Sequence, residues 1–190
     1  NYERLGKTVA TEHTMMASID EAYNEAEKRG FEAADEHEKR WDETFTRWKF
    51  KDDKPGSATN AKEISFEFWS NKKDYEVTWK YDQNSNSYLR ENDGSQYLDL
   101  ETKEQIRAKN VVILFTKERG PVDRNLHMLY TTIGSGKVLI FQNGEVMEGS
   151  WEKTSRKDRT RFLDSQEKEI EFVRGHIWIE IVPTGNEVRY

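Results

Sequence analysis

The sequence predicts an α+β protein: one or two N-terminal helices packed on a mainly antiparallel β-sheet of roughly eight to ten strands, curled into a sandwich or open barrel. Three observations carry this expectation. Between residues 110 and 183, short apolar runs are broken by turn signals at Gly120-Pro121, Gly134-Ser135-Gly136, Asn143-Gly144, Gly149 and Gly175. Upstream, two segments alternate strictly between apolar and polar residues. Near the start stands one helical pattern with its own start and stop signals.

The elements follow in order. Residues 1–13 read as extended or irregular. Ser18 and Glu21 form a capping box, in which the Ser18 hydroxyl takes the Glu21 amide. Ile19, Ala22, Tyr23 and Ala26 then recur at helical spacing. Lys28 and Arg29 suit the negative end of the helix dipole, and Gly30 is a natural stop. A helix is expected over residues 18–29. Trp41, Phe45 and Trp48 suggest a second over 33–47. Lys54-Pro55-Gly56 marks a connector.

Ile64, Phe66 and Phe68 form one strand face, and Tyr75, Val77, Trp79 and Tyr81 another. A turn at residues 82–86 leads into a strand from Ser87 to Arg90, and Asp93-Gly94 turns again. Residues 111–115 are apolar throughout, as suits a central strand covered on both faces. Residues 128–133, 137–141 and 145–151 read as a meander. Asn143-Gly144 favours a type I′ hairpin turn within it. Strands at 160–163, 169–173 and 177–182 close the set.

Composition bounds the function. The chain has 190 residues, 34% hydrophobic and 35% charged, and a 12% aromatic share supplies the apolar area for a core. The net charge of −6 argues against nucleic acid as the partner. With no cysteine, disulfides, thiol catalysis and Cys-ligated metals are excluded. No apolar run approaches the roughly 20 residues that span a bilayer. The opening Asn1-Tyr2-Glu3 is neither an initiator Met nor a signal peptide, so a processed chain lacking its natural N-terminus is expected.

Several strings, in order, resemble one bacterial family. They are Glu12-His13-Thr14-Met15 ahead of the capped helix, and Trp79-Lys80-Tyr81-Asp82 followed by Tyr88-Leu89-Arg90. Asp93-Gly94 with Asp99 comes next, then Ala108-Lys109-Asn110 and Gly134-Ser135-Gly136-Lys137. Asn143-Gly144, Gly149-Ser150-Trp151-Glu152-Lys153 and Gly175-His176-Ile177-Trp178 complete the series. The chain is similar to the YerB-like lipoprotein family, DUF3048, mainly to its C-terminal domain over residues 60–183. Tyr97 stands where a His is common in that family, and Met15-Met16 where a polar residue is common.

The resemblance implies an extracytoplasmic, membrane-anchored lipoprotein, with a lipid anchor on a missing N-terminal part. It implies no activity. The resulting organisation is a helical segment at 1–50 as the tail of a larger N-terminal domain, a linker at 51–57, and an antiparallel β domain at 58–190.

No motif carries a specific chemistry. His13, beside Glu12 and just ahead of a helix, suits an acid–base or anion-binding role, or a structural bond to backbone. Asp99, with Glu91 and Asp93, is conceivable as a catalytic carboxylate, although chance clusters are expected in so acidic a chain. His37, His127 and His176 form no metal-ligating pattern, so no metal and no cofactor are expected. Gly134-Ser135-Gly136-Lys137 lacks the spacing and hydroxyl of a phosphate loop, and a turn or bulge fits better. No serine stands in a nucleophile elbow.

The cations between Lys153 and Arg161 could meet anionic lipid or wall polymer, or form a solvated loop. For a ligand site the best set is Tyr88, Arg90, Trp151 and Lys153, aromatic faces beside cations that suit sugars and anionic peptides. Their alternative use is core packing. The expected function is an envelope-associated binding module that contacts cell-wall glycan, peptide or an envelope protein. An enzyme acting on envelope polymers and a support for a missing N-terminal domain are the alternatives.

Overall fold

The structure, a computed structural model, describes residues 2–4, 15–31, 45–56, 59–69 and 72–190. The chain forms two compact units, residues 1–47 and 48–190.

In the first unit, β1 (Tyr2–Arg4) pairs antiparallel with β2 (Met15–Ala17). Helix α1 (Ile19–Lys28) follows. Its start is the expected cap: Ser18 is extended, and its Oγ accepts the Glu21 N–H at 3.4 Å. Asp20 and Glu21 sit in the first turn and Lys28 in the last, each charge complementing the helix dipole. The chain leaves the helix through Gly30 at a φ of +67°. Of the expected second helix at 33–47, residues 33–44 lie outside the described residues, and 45–49 are irregular.

The second unit is built of strands. In chain order they are β3 (Phe50–Lys51), β4 (Glu63–Glu67), β5 (Glu76–Asp82), β6 (Ser87–Asn92), β7 (Ser95–Gln96) and β8 (Arg107–Ala108). Then come β9 (Asn110–Thr116), β10 (Glu118–Arg119), β11 (Leu129–Tyr130), β12 (Gly134–Gln142) and β13 (Glu145–Lys153). The last are β14 (Arg161–Leu163), β15 (Phe172–Val173), β16 (Ile177–Pro183) and β17 (Val188–Arg189).

One sheet has six strands, in the order β17-β4-β5-β6-β7 with β8 added to β6. The other has five, in the order β14-β13-β12-β9-β16. Pairing is antiparallel except between β9 and β16 and between β3 and β15, which run parallel. Neither sheet closes on itself, so the arrangement is sandwich-like and forms no closed barrel.

Alternation along each strand decides which side chains meet. Ile64, Phe66, Val77, Trp79 and Tyr88 from the six-stranded sheet pack with Val111, Ile113, Leu139, Phe141 and Val182 from the five-stranded sheet. The opposite face of the five-stranded sheet carries Val112, Leu114, Val138, Ile140 and Trp151. Phe162 on β14 extends that face, and Ile170, Phe172 and Trp48 pack against it. The Trp48 ring meets Phe162 and Phe172 at centroid distances of 5.7 and 5.4 Å, and its Nε1 donates to the Thr160 carbonyl at 2.8 Å. Val111 through Leu114 are therefore all buried, because successive side chains enter opposite cores.

The β12–β13 hairpin turns at Asn143-Gly144 with φ of +59° and +76°, the type I′ geometry the dipeptide favours. Two expectations are corrected. Residues 128–133 do not join the meander, because β11 pairs with β10 instead. Gly134 through Lys137 are not a turn or bulge; they open β12 and pair with β13.

Candidate functional site

Arg90 and its aromatic surroundings exist as a cluster, but the cluster is filled from within. Trp79 on β5 and Arg90 on β6 are cross-strand partners, and Trp178 and Glu180 alternate on β16. The guanidinium lies 4.3 Å from the Tyr97 ring centroid, 5.4 Å from Trp178 and 5.9 Å from Trp79. Its Nε meets Glu180 Oε1 at 3.3 Å, and the two side chains are 8% and 7% exposed. Trp79 Nε1 also donates to Glu180, at 3.2 Å. Burial pushes the Glu180 carboxyl above its ordinary range, while Arg90 and the Trp79 indole pull it back. The cation that was to face a ligand is thus spent on an internal carboxylate.

Tyr88 is fully buried, with its hydroxyl donating to the Ala61 carbonyl at 3.2 Å. Lys153 donates to the Asp158 carbonyl. Trp151 is buried in the opposite core from Tyr88. The four expected ligand residues therefore do not share one surface.

The two ends of the β9–β12 pair differ sharply. At one end Asn110 and Gln142 are cross-strand partners. Asn110 Nδ2 donates to the Val173 carbonyl at 2.8 Å, and the Val173 N–H reaches Asn110 Oδ1 at 2.9 Å and Gln142 Oε1 at 3.1 Å. Gln142 Nε2 donates in turn to the Glu171 carbonyl at 3.2 Å. Those buried amides are satisfied.

At the other end the strands part. The β9–β12 register stops at Leu114–Val138, while β12 stays paired with β13 as far as Gly134–Lys153. A groove of about 620 Å³ opens there, lined by residues 115–117, 131, 133–137, 151 and 184–186. The β9 side of the split is capped. Phe115 O accepts from Trp151 Nε1 at 2.9 Å, Thr116 O from the Thr184 N–H at 2.7 Å, and Lys117 O from the Thr131 N–H at 3.0 Å.

Gly136 makes the first of these bonds possible. A Cβ there would lie 2.7 Å from both Phe115 O and Trp151 Nε1. Thr116 is 2% exposed, and its hydroxyl has no hydrogen-bond partner among the described residues. An unpaired buried hydroxyl is costly in a finished core.

The remaining candidates sit elsewhere. Asp99 Oδ1 accepts from the backbone of Glu101 and Thr102 and from the Thr102 hydroxyl, and these bonds hold its carboxyl below the ordinary range. That is the chemistry of a turn former. His13 and His37 lie outside the described residues. His127 Nδ1 meets Asp123 Oδ2 at 2.6 Å on an exposed loop. Arg159 pairs with Glu169, and Arg161 with Glu152, so two of the five cations in the basic 153–161 stretch are neutralised locally. No cluster of metal-ligating side chains occurs among the described residues.

Sequence reasoning missed Thr116, Lys117 and residues 184–186. It met Gly134 through Lys137 but dismissed them as a turn. Glu180 did leave a signal: a charged residue on the inward parity of Trp178 and Val182, in an otherwise apolar strand.

A model of the C-terminal domain of DUF3048, a family of proteins of unknown function, matches residues 63–179. The chain belongs to that family. It is 26% identical over 172 residues to the Bacillus subtilis (strain 168) protein named "Putative lipoprotein YerB". The alignment takes in 90% of this chain and 48% of the relative, so the chain spans about half the length of the curated relative it matches. The crystal structure of YerB from Bacillus subtilis superposes with a TM-score of 0.75 at 21% identity, over 100% of this chain and 59% of that one. At that identity the likeness speaks for the fold alone.

Proposed function

We propose that this chain is an extracytoplasmic, envelope-associated binding module whose ligand seats in the groove between β9 and the start of β12. The envelope setting comes from the lipoprotein name of the relative. The observation that carries the binding role is the split itself, a groove of about 620 Å³ lined by Phe115, Lys117, Ser135 and Trp151. Its size falls within the roughly 300–1,000 Å³ of small-ligand sites. The strongly placed ionisable groups are tied into internal pairs, Arg90 with Glu180 and Arg159 with Glu169, which leaves binding as the simpler use.

Co-sedimentation with insoluble peptidoglycan, followed by mass spectrometry of the supernatant, tests this. Pelleting without released fragments is the expected result. Fragments lost on Asp99→Ala or His13→Ala would replace the binding reading with an enzyme acting on envelope polymers. Absence of both pelleting and release would remove the wall as the partner.

A second reading, support for further sequence such as the longer relative carries, is favoured by α1. Its Ile19 and Tyr23 are each 74% exposed, an apolar pair on one helical face.

A further inference from the structure

Strand β16 stands at the edge of the five-stranded sheet, and among the described residues its strand partner is β9 alone. The printed bonds of that pair fix which way its backbone points. The Asn110 N–H donates to the His176 carbonyl at 3.1 Å, and the Thr184 N–H donates to the Thr116 carbonyl at 2.7 Å. In a strand, the N–H and C=O of one residue point to the same side, and successive residues point to opposite sides. Residues 176, 178, 180, 182 and 184 therefore bond to β9. Ile177, Ile179 and Ile181 turn their N–H and C=O to the free edge, where no described residue bonds to them.

The side chains of the same three residues form an apolar row. Ile179 and Ile181 are 38% and 37% exposed, and Ile177 is half-buried. The row reads the same in both directions about Ile179. Charge also permits a copy to approach. Two chains of net charge −6 repel each other, so contact between them needs a seam without free carboxylates. Between Gly175 and Pro183 the sole acidic residue is Glu180. It points inward and is already paired with Arg90 at 3.3 Å. Natural edges are guarded by lysines, bulges or proline, and here Pro183 stands only at the far end.

Beyond the groove, we propose that β16 pairs with β16 of a second copy of this chain, antiparallel about a twofold axis at Ile179. In that register Ile179 faces its own copy and Ile177 faces Ile181. Backbone and side chains agree on it, since each facing pair consists of residues whose N–H and C=O both point outward. Each pair then exchanges hydrogen bonds in both directions, and isoleucine meets isoleucine on one face. The contact is isologous, and the two sheets become one. A single added strand pair is smaller than the roughly 1,200 Å² of a stable interface, so the dimer is a weak one, with a Kd of about 0.05–0.5 mM.

Sedimentation equilibrium of the whole chain up to about 1 mM should show this monomer–dimer exchange. Ile179→Lys sets two ammonium groups directly opposite each other and should weaken the dimer by about tenfold or more. Ile179→Val keeps the shape and should leave Kd within about threefold. Amide hydrogen exchange reads the register. The Ile177, Ile179 and Ile181 amides should exchange about two- to fivefold more slowly at about 1 mM than at about 20 μM. The Trp178, Glu180 and Val182 amides, bonded to β9, should not change.

A chain that stays monomeric to about 1 mM overturns the proposal, as does a dimer that Ile179→Lys leaves intact. Edge amides protected equally at every concentration also overturn it, because the edge is then covered within one chain. Concentration-dependent protection centred away from β16 places the contact elsewhere and has the same consequence. Should Ile179→Lys fail to fold, the exchange measurement on the unaltered chain decides.

Discussion

One strand pair, β9 with β12, ends in two opposite ways. At the Asn110–Gln142 end the side-chain amides bond to the backbone of Glu171, Val173 and His176. At the Thr116–Gly136 end the strands separate, a buried hydroxyl is unpartnered, and a groove opens. The difference teaches where to look for function in a sheet whose residues are otherwise buried. Satisfied polar groups close one end of the pair, and the parted end leaves a groove that the chain itself does not fill.

Substitutions should separate the two ends by size of effect. The upper reference lies between them: Glu180→Ala leaves Arg90 buried without its carboxylate and should cost about 3–5 kcal/mol, read by chemical denaturation. Asn110→Ala at the closed end removes bonds to Val173 and His176 and should cost about 2–4 kcal/mol in the same assay. A loss of stability under about 0.5 kcal/mol there would erase the contrast between the ends.

Gly136→Ala at the open end forces a Cβ against Phe115 O and the Trp151 indole. It should cost about 1–3 kcal/mol, read by chemical denaturation. Thr116→Val sits at the bottom of the scale. Removing an unpaired hydroxyl without changing shape should leave stability within about 1 kcal/mol or raise it. A loss of 2 kcal/mol or more, about the cost of a broken buried hydrogen bond, would show that this hydroxyl is not spare.

Acid titration probes the cover over the second core. The Arg159 guanidinium beside Glu169 holds its carboxyl below the usual glutamate range. A depressed folded value means that the unfolded chain binds the proton first on acidification. The stabilisation is therefore present above the ordinary value, near pH 4.3, and is lost as pH falls through the folded value. Glu169→Gln should flatten the fall in melting temperature across that acid range. Glu180 acts in the opposite sense, because its raised value makes its contribution fade as pH rises. An unchanged acid limb in Glu169→Gln would show that the pair does not hold the cover.

Much of the fold was legible because its signals are local. The cap at Ser18, the alternation at 64–68 and 77–81, the apolar run at 111–115 and the Asn143-Gly144 turn each depend on residues within a few positions of one another. The site was not legible for the complementary reason. Arg90 meets Glu180 across 90 positions of sequence, and Trp151 reaches Phe115 across 36. Aromatic residues beside cations suggested an open site, but a sequence does not say whether the face it predicts is turned to water or to an internal partner.

The sequence by itself determined the longer strands around residues 64–67, 76–82, 111–115 and 145–151, the Asn143-Gly144 turn and the inward side of the alternating strands, since side-chain alternation and turn geometry are properties of neighbouring residues. Only the tertiary structure decided that β16 runs parallel beside β9, that Glu180 neutralises Arg90, and that β9 and β12 part at Leu114–Val138. Those outcomes depend on distant segments competing for the same edge and the same charge, and that competition is resolved only when the whole chain packs.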